Sequence, residues 1–180
     1  MNVIVSFSGR KSGNSAQIAR FCQEMVPDST VYRFSDFELH PCGGCQGECF
    51  DSRQRCPYAS DMEETLVETV CRSKRAIFIV PNHCNYPCAN FFSFNERSQC
   101  AFQGEPERLE AYLNVPKQFI VISNTVQTGF DEFFVQHTNE VPEILYLSPR
   151  AFGKSSVAGD LMTSSEARTT LAAFLNTART

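Results

Sequence analysis

The sequence predicts an α/β protein: a doubly wound, five-stranded parallel sheet with helices on both faces. Three observations carry that expectation. Five short apolar runs alternate with segments of helical periodicity. The third run, Ala76-Ile77-Phe78-Ile79-Val80, is apolar without interruption, as a strand covered on both faces requires. The first, third and fourth runs end in polar loops, and in this architecture ligands lie beyond the carboxyl ends of the strands.

The first strand, Val3-Ile4-Val5, turns through Ser8-Gly9-Arg10-Lys11-Ser12-Gly13-Asn14-Ser15 into a helix. On that helix Ile18, Cys22 and Met25 recur beside Ala19 and Val26. Residues 30–34 form the second strand. Residues 37–58 then break all periodicity, punctuated by Pro41, Gly43, Gly44, Gly47 and Pro57. The N-cap pair Ser60-Asp61 opens a second helix that buries Met62, Leu66, Val67 and Val70 and ends near Ser73. The third strand stops at Pro81 and runs into the loop Asn82-His83-Cys84-Asn85-Tyr86-Pro87-Cys88; a Phe-rich helix follows over 89–100. A short helix around Leu109 precedes the fourth strand, 118–123, whose polar loop runs from Asn124 and Thr125 to Gly129. Residues 131–138 read as an aromatic helix and 143–147 as the fifth strand. Thr163-Ser164-Ser165-Glu166 is a capping box opening the last helix, whose face is Ala167, Leu171, Phe174, Leu175 and Ala178.

The 180 residues are expected to form one domain with a cysteine-rich insertion at about 37–60. A net charge of −4 argues against a nucleic-acid surface, which needs a basic face. No apolar run approaches the ~20 residues of a membrane span, and Met1 leads into a strand rather than a signal peptide. The expected location is the cytoplasm. There disulfides are disfavoured, so the nine cysteines gain weight as metal or redox groups.

A strand turning through a Ser/Gly/Arg loop into a helix start offers what a phosphate needs: free backbone N–H groups and the positive end of the helix dipole. Ser8, Ser12 and Ser15 add hydroxyl donors, Arg10 and Lys11 positive charge, and Gly9 and Gly13 permit close approach. Composition alone equally allows an ordinary polar βα loop. The loop lacks Gly-x-Gly-x-x-Gly and Gly-x-x-x-x-Gly-Lys-Ser/Thr, which argues against dinucleotide and nucleoside triphosphate sites.

Residues 7–15, Phe-Ser-Gly-Arg-Lys-Ser-Gly-Asn-Ser, resemble the Gly-Ser-Pro-Arg-Lys-x-Gly-Asn-Thr loop of the NADPH-dependent FMN reductase and iron–sulfur flavoprotein families. Phe7 and Gly9 depart from that pattern. The resemblance implies a flavodoxin-like fold with strand order 2-1-3-4-5. It makes Ser8, Arg10, Asn14 and Ser15 contacts of the FMN phosphate. The family's Pro-x-Tyr, followed at thirteen residues from the proline by Phe-x-Asp-Arg, is matched by Pro81, His83 and Phe94-Asn95-Glu96-Arg97. By this likeness Pro81, Asn82, His83, Cys84, Asn85 and Tyr86 line the isoalloxazine ring, and Ser123, Asn124, Thr125 and Gly129 close its other side. Taken alone, His83 reads as a surface-loop histidine, and Phe91, Phe92 and Phe94 as core or subunit-interface packing.

Cys42, Cys45, Cys49 and Cys56 share one loop with spacing Cys-x2-Cys-x3-Cys-x6-Cys. Four thiolates there suit a [4Fe–4S] cluster; the same ligands suit zinc; a metal-free thiol loop is the third reading. Iron–sulfur flavoproteins carry a similar loop closing with Asp-Asp-Met, here Ser60-Asp61-Met62. Cys22 and Cys71 read as helix core, and Cys84 and Cys88 as packing in the third-strand loop. The resemblance implies an FMN-dependent oxidoreductase taking electrons from NAD(P)H to a small-molecule or protein acceptor, as a homodimer or homotetramer. The competing readings are an electron carrier without small-molecule turnover and a zinc-stabilised binding module.

Overall fold

Successive side chains of a strand leave opposite faces of a sheet, so an uninterrupted apolar strand needs a cover on each. The computed structural model describes residues 1–125 and 130–177. Its strands are β1 (Asn2–Ser6), β2 (Ser29–Arg33), β3 (Ala76–His83), β4 (Tyr86–Pro87), β5 (Lys117–Ile122) and β6 (Glu143–Leu147). Its helices are α1 (Asn14–Met25), α2 (Met62–Cys71), α3 (Ala89–Glu96), α4 (Ser98–Phe102), α5 (Pro106–Asn114), α6 (Asp131–Phe134) and α7 (Ser165–Asn176). Val3, Val5, Phe78, Val80, Phe119 and Val121 enter one core, covered by α2 to α6. Ile4, Ile77, Ile79 and Ile120 enter the other, covered by Ile18, Ala19 and Cys22 of α1 and Leu171 and Leu175 of α7. The five parallel strands run in the order β2-β1-β3-β5-β6. That is the expected 2-1-3-4-5 once β4, which pairs antiparallel with the end of β3, is set aside.

Several local expectations change. β3 does not stop at Pro81. It continues to His83 because β1 has ended by then (Ser6 pairs with Ile79), so no neighbour on that side needs the N–H that proline lacks. The Phe-rich helix breaks into α3 and α4 at Arg97, and the 131–138 segment is α-helical only to Phe134, tightening to a 3₁₀ turn over Val135–His137. Met25 is 41% exposed; Val26 closes the α1 stripe instead. The last helix is capped by Ser164, whose hydroxyl accepts from the Ala167 N–H, so Thr163 is not the cap and the box is not made. Ala178 lies outside the described residues. No described helix is long and apolar enough to cross a membrane.

One histidine is built into the aromatic core. His137 lies 5.2 Å from Phe91 and stacks on Phe94 at 6.0 Å, ring centroid to centroid, with Nδ1 2.9 Å from the Tyr112 hydroxyl. Burial, helped by the charge of Lys117, holds its imidazole down to about 3 against an ordinary 6.5. The unfolded chain therefore takes up this proton first as pH falls, and stability drains away from about pH 6.5 toward 3. In urea titrations across that range, His137→Gln is expected to flatten the acid slope while lowering stability at neutral pH.

Candidate functional site at the carboxyl rim of the sheet

α1 begins bare. Its N-cap is Gly13, at φ 121°, with no side chain bonded to the first-turn N–H groups and no acidic residue in that turn. The helix thus presents unpaired donors and its positive end to whatever lies above β1. A cavity of about 230 Å³ opens there. Ser8, Arg10, Ser12, Gly13, Asn14 and Ser15 line one side; Pro81, Asn82 and His83 from the β3 end, with Ile122 at the end of β5 and Asn124 beyond it, line the other. The three loops that the sequence places at strand ends meet at one opening. Lys11 is exposed and does not line it.

A fourth segment, unremarked in the sequence, completes the wall: Pro149, Ser156 and Val157, after β6. Arg10 donates from its guanidinium to the Val157 carbonyl at 3.0 Å. The buried Asn14 amide donates to the Ser155 carbonyl at 2.8 Å and accepts from the Leu161 N–H at 3.0 Å. Both ends of that side chain are consumed inside the protein. Asn14 is therefore a clamp on the 155–161 loop, and what it has left for an anion is its backbone N–H. Among the described residues Ser8 and Ser15 have no such competing tether, although the Ser8 hydroxyl accepts from the Arg10 N–H at 3.2 Å. The signal for this loop, Ser155-Ser156-Val157-Ala158-Gly159-Asp160, was its polarity at another strand's carboxyl end.

Gly159 sits against the mouth of α1. At φ 76° it occupies the left-handed region, and a Cβ there would lie 2.8 Å from the Gly13 Cα and 3.1 Å from its N and C atoms. Backbone meets backbone, so nothing flexible can give way. Gly159→Ala is expected to cost about 1–2 kcal/mol from the left-handed conformation alone. It also pushes the 155–161 loop off the cavity, which thermal unfolding and ligand titration of the variant would both register.

The third-strand loop is a hairpin. Cys84 and Asn85 both have positive φ, 52° and 75°, the backbone of a two-residue turn that twists with its strands. This turn carries Cys84, Asn85 and Tyr86 out into solvent and away from the cavity, so of the loop's predicted contacts only Pro81, Asn82 and His83 line it. Asn82 donates to the Ser123 hydroxyl at 2.6 Å, and Ser123 in turn donates to the Thr125 carbonyl at 2.7 Å. Ser123 and Thr125 brace the rim without lining the cavity, and Asn124 donates across it to the Ser156 hydroxyl. The Asn82 Oδ1 is buried with no partner among the described residues. Gly129 lies outside the described residues.

The cysteine segment is held elsewhere, by Arg97. This arginine, 2% exposed, donates to Asp61 at 2.9 Å, to the His40 carbonyl at 3.0 Å, to the Tyr58 carbonyl at 3.0 Å and to Glu63 at 3.0 Å. His40 stacks on Tyr58 with ring centroids 4.5 Å apart. Asp61 occupies the N-cap of α2 but makes no cap bond, because His40 and Arg97 take its carboxylate. Cys42 is exposed, Cys45 and Cys56 are half-buried, and Cys49 is buried. Among the described residues no three His, Cys, Asp or Glu side chains are grouped to hold a metal ion. A cluster or zinc ion on these four thiols therefore has no support here. Two further cavities, of about 250 and 370 Å³, open among α2, α4 and α5 and beside Arg53; neither touches the carboxyl rim.

No known family profile matches the chain, and no curated protein matches it. Solved structures do. The Trp repressor binding protein of Bacillus subtilis superposes with a TM-score of 0.62 at 12% identity, covering 97% of each chain. Smu.1420 of Streptococcus mutans UA159 gives 0.64 at 13% identity, over 98% of this chain and all of the other. FerB of Paracoccus denitrificans, a flavoenzyme NAD(P)H:(acceptor) oxidoreductase, gives 0.56 at 12% identity, over 97% and 94%. Strand order, two-sided helical cover and these full-length superpositions agree: the chain has the flavodoxin-like fold.

Proposed function

We propose that this protein binds FMN at the carboxyl rim of its sheet and is an oxidoreductase that moves electrons from NAD(P)H to an acceptor. The observation that carries the reading is the uncapped N-terminus of α1 facing a cavity edged by Arg10, Ser8, Ser12 and Ser15. A phosphate monoester dianion matches that donor set. The residues fit the rest of a flavin mononucleotide as well. The unpartnered Asn82 Oδ1 can accept from a ring N–H, and Pro81, His83, Ile122 and Val157 offer flat or apolar wall.

When bound, the flavin supplies electron exchange with a nicotinamide on one side of the reaction and with the acceptor on the other. The chain's own part is to bind and orient. The α1 N–H groups and Arg10 hold the phosphate; the Asn82–Ser123–Thr125 chain keeps the rim rigid; the 155–161 loop, clamped by Asn14, closes the phosphate end to water. The name of FerB, whose fold this chain shares, supports the same chemistry. A homodimer or homotetramer belongs to the same proposal.

The test is direct. Purified protein titrated with FMN should quench its fluorescence and give a resolved flavin absorption spectrum, and anaerobic NADPH or NADH should bleach it. Absence of FMN binding overturns the reading. Binding with no bleaching by either nicotinamide reduces it to a carrier fed by another protein.

A further inference from the structure

The cavity of about 250 Å³ among α2 to α5 takes no part in the chemistry of the rim, and Gln136 and His137 complete its wall. Val67, Phe94 and Tyr112, all buried, give it an apolar surface together with the half-buried Phe102. Asn95, Ser98, Gln99, Gln103 and Gln136 are half-buried or exposed and bring amides and one hydroxyl to its edge. Glu63 and His137 also line it, although they are only 4% and 3% exposed. Each keeps one buried atom without a partner among the described residues, Glu63 Oε1 and His137 Nε2. Their other ends are taken: Arg97 donates to Glu63 Oε2 at 3.0 Å, and His137 Nδ1 lies 2.9 Å from the Tyr112 hydroxyl.

We propose that this cavity binds an uncharged aromatic carboxamide of one ring, the ring on the apolar surface and the amide toward Glu63 and His137. A buried polar atom left unpaired costs free energy that a ligand bonding to it recovers. Among the described lining residues only Glu63, Tyr112 and His137 are ionisable. The acid among them already has its counter-ion in Arg97, so a charged ligand would enter without one. Burial favours the neutral forms of Glu63 and His137 as well.

The amide follows from the two unpaired atoms. Glu63 Oε1 donates when it carries the carboxyl proton and accepts when it does not; His137 Nε2 does the same according to tautomer. A carboxamide holds an acceptor and donors in one planar group, so it answers each of these arrangements. A ketone or ether, with acceptors alone, answers fewer. The volume lies just under the range of drug-sized ligands, which limits the occupant to a ring with a short substituent. This cavity shares no lining residue with the one at the rim, so the inference is independent of flavin binding.

Benzamide is the probe, with benzoate and benzylammonium as its charged counterparts, each titrated into full-length protein labelled at the Leu and Val methyls. Val67 and Leu109 line this cavity and Val157 lines the rim, so the methyl NMR spectrum tells the two apart. Benzamide is expected to shift the Val67 and Leu109 signals saturably and to leave Val157 in place. Both ions should bind at least about tenfold more weakly. Ser98→Leu fills the cavity and should abolish the shift at Val67; Leu109→Trp fills it from the edge should Ser98→Leu fail to fold. The proposal is overturned if Val67 and Leu109 do not move, or if Val157 shifts instead. It is equally overturned if either ion binds as tightly as benzamide, or if the filled cavity binds as well as the wild type.

Discussion

Replacing Arg97 by methionine will destabilise the protein by about 3–5 kcal/mol, the range measured when one partner of a buried ion pair is removed. Methionine fills a similar volume, so the loss reports the charge and its bonds. Arg97 ties the end of α3 to the His40–Tyr58 stack and to Asp61 and Glu63 at the start of α2. Burial works upward on Asp61, but the His40 N–H and the Arg97 guanidinium outweigh it and hold its carboxyl below the usual range. Without Arg97 that carboxylate is left half-buried with one donor fewer. Glu63 differs: burial dominates the pull of Arg97 and pushes it up to about 8, so it loses less when the arginine goes. Lysine should not rescue, because one ammonium cannot reproduce a planar fork that reaches four acceptors. Urea unfolding of Arg97→Met and Arg97→Lys checks this; a change under ~1 kcal/mol would mean that the network is a surface-grade ion pair.

The second large effect is on the phosphate grip. Arg10→Ala combined with Ser15→Ala removes two hydrogen bonds to a charged ligand, worth ~1.5–3 kcal/mol each. The sum corresponds to a rise in the FMN dissociation constant of roughly 10²- to 10⁴-fold. Lys11→Ala is the control: the residue is exposed, does not line the cavity, and should change affinity only through screened long-range charge. Arg10 also holds Val157, so part of the loss in the double variant comes through the 155–161 loop. Ser15→Ala alone separates that part, being free of the tether. Fluorescence titration of FMN against the four proteins reads all of it. Equal affinity in wild type and double variant would place the phosphate elsewhere.

Much of this site was legible in residues close together in the chain. The Ser8–Ser15 loop declares itself by glycines, hydroxyls and charge between an apolar run and a helix, all within one turn of chain. The hairpin was less legible. Cys84-Asn85 lacks the Asn-Gly or Asp-Gly pair that marks such a turn, so the loop looked like ring-facing wall although its tip points to solvent. The 155–161 loop was hidden by distance: its partners, Arg10 and Asn14, lie 141 to 147 residues away.

Local patterning determined the alternation of strands and helices, the parallel sheet with both faces covered, and the presence of an anion-ready helix start. Each follows from side-chain period and backbone donors, quantities that neighbouring residues fix among themselves. Only the tertiary structure decided that Asn14 clamps a loop, that His137 is buried among phenylalanines and that Arg97 anchors the cysteine segment. Those outcomes depend on which surfaces are buried against one another, and burial is a property of the packed whole.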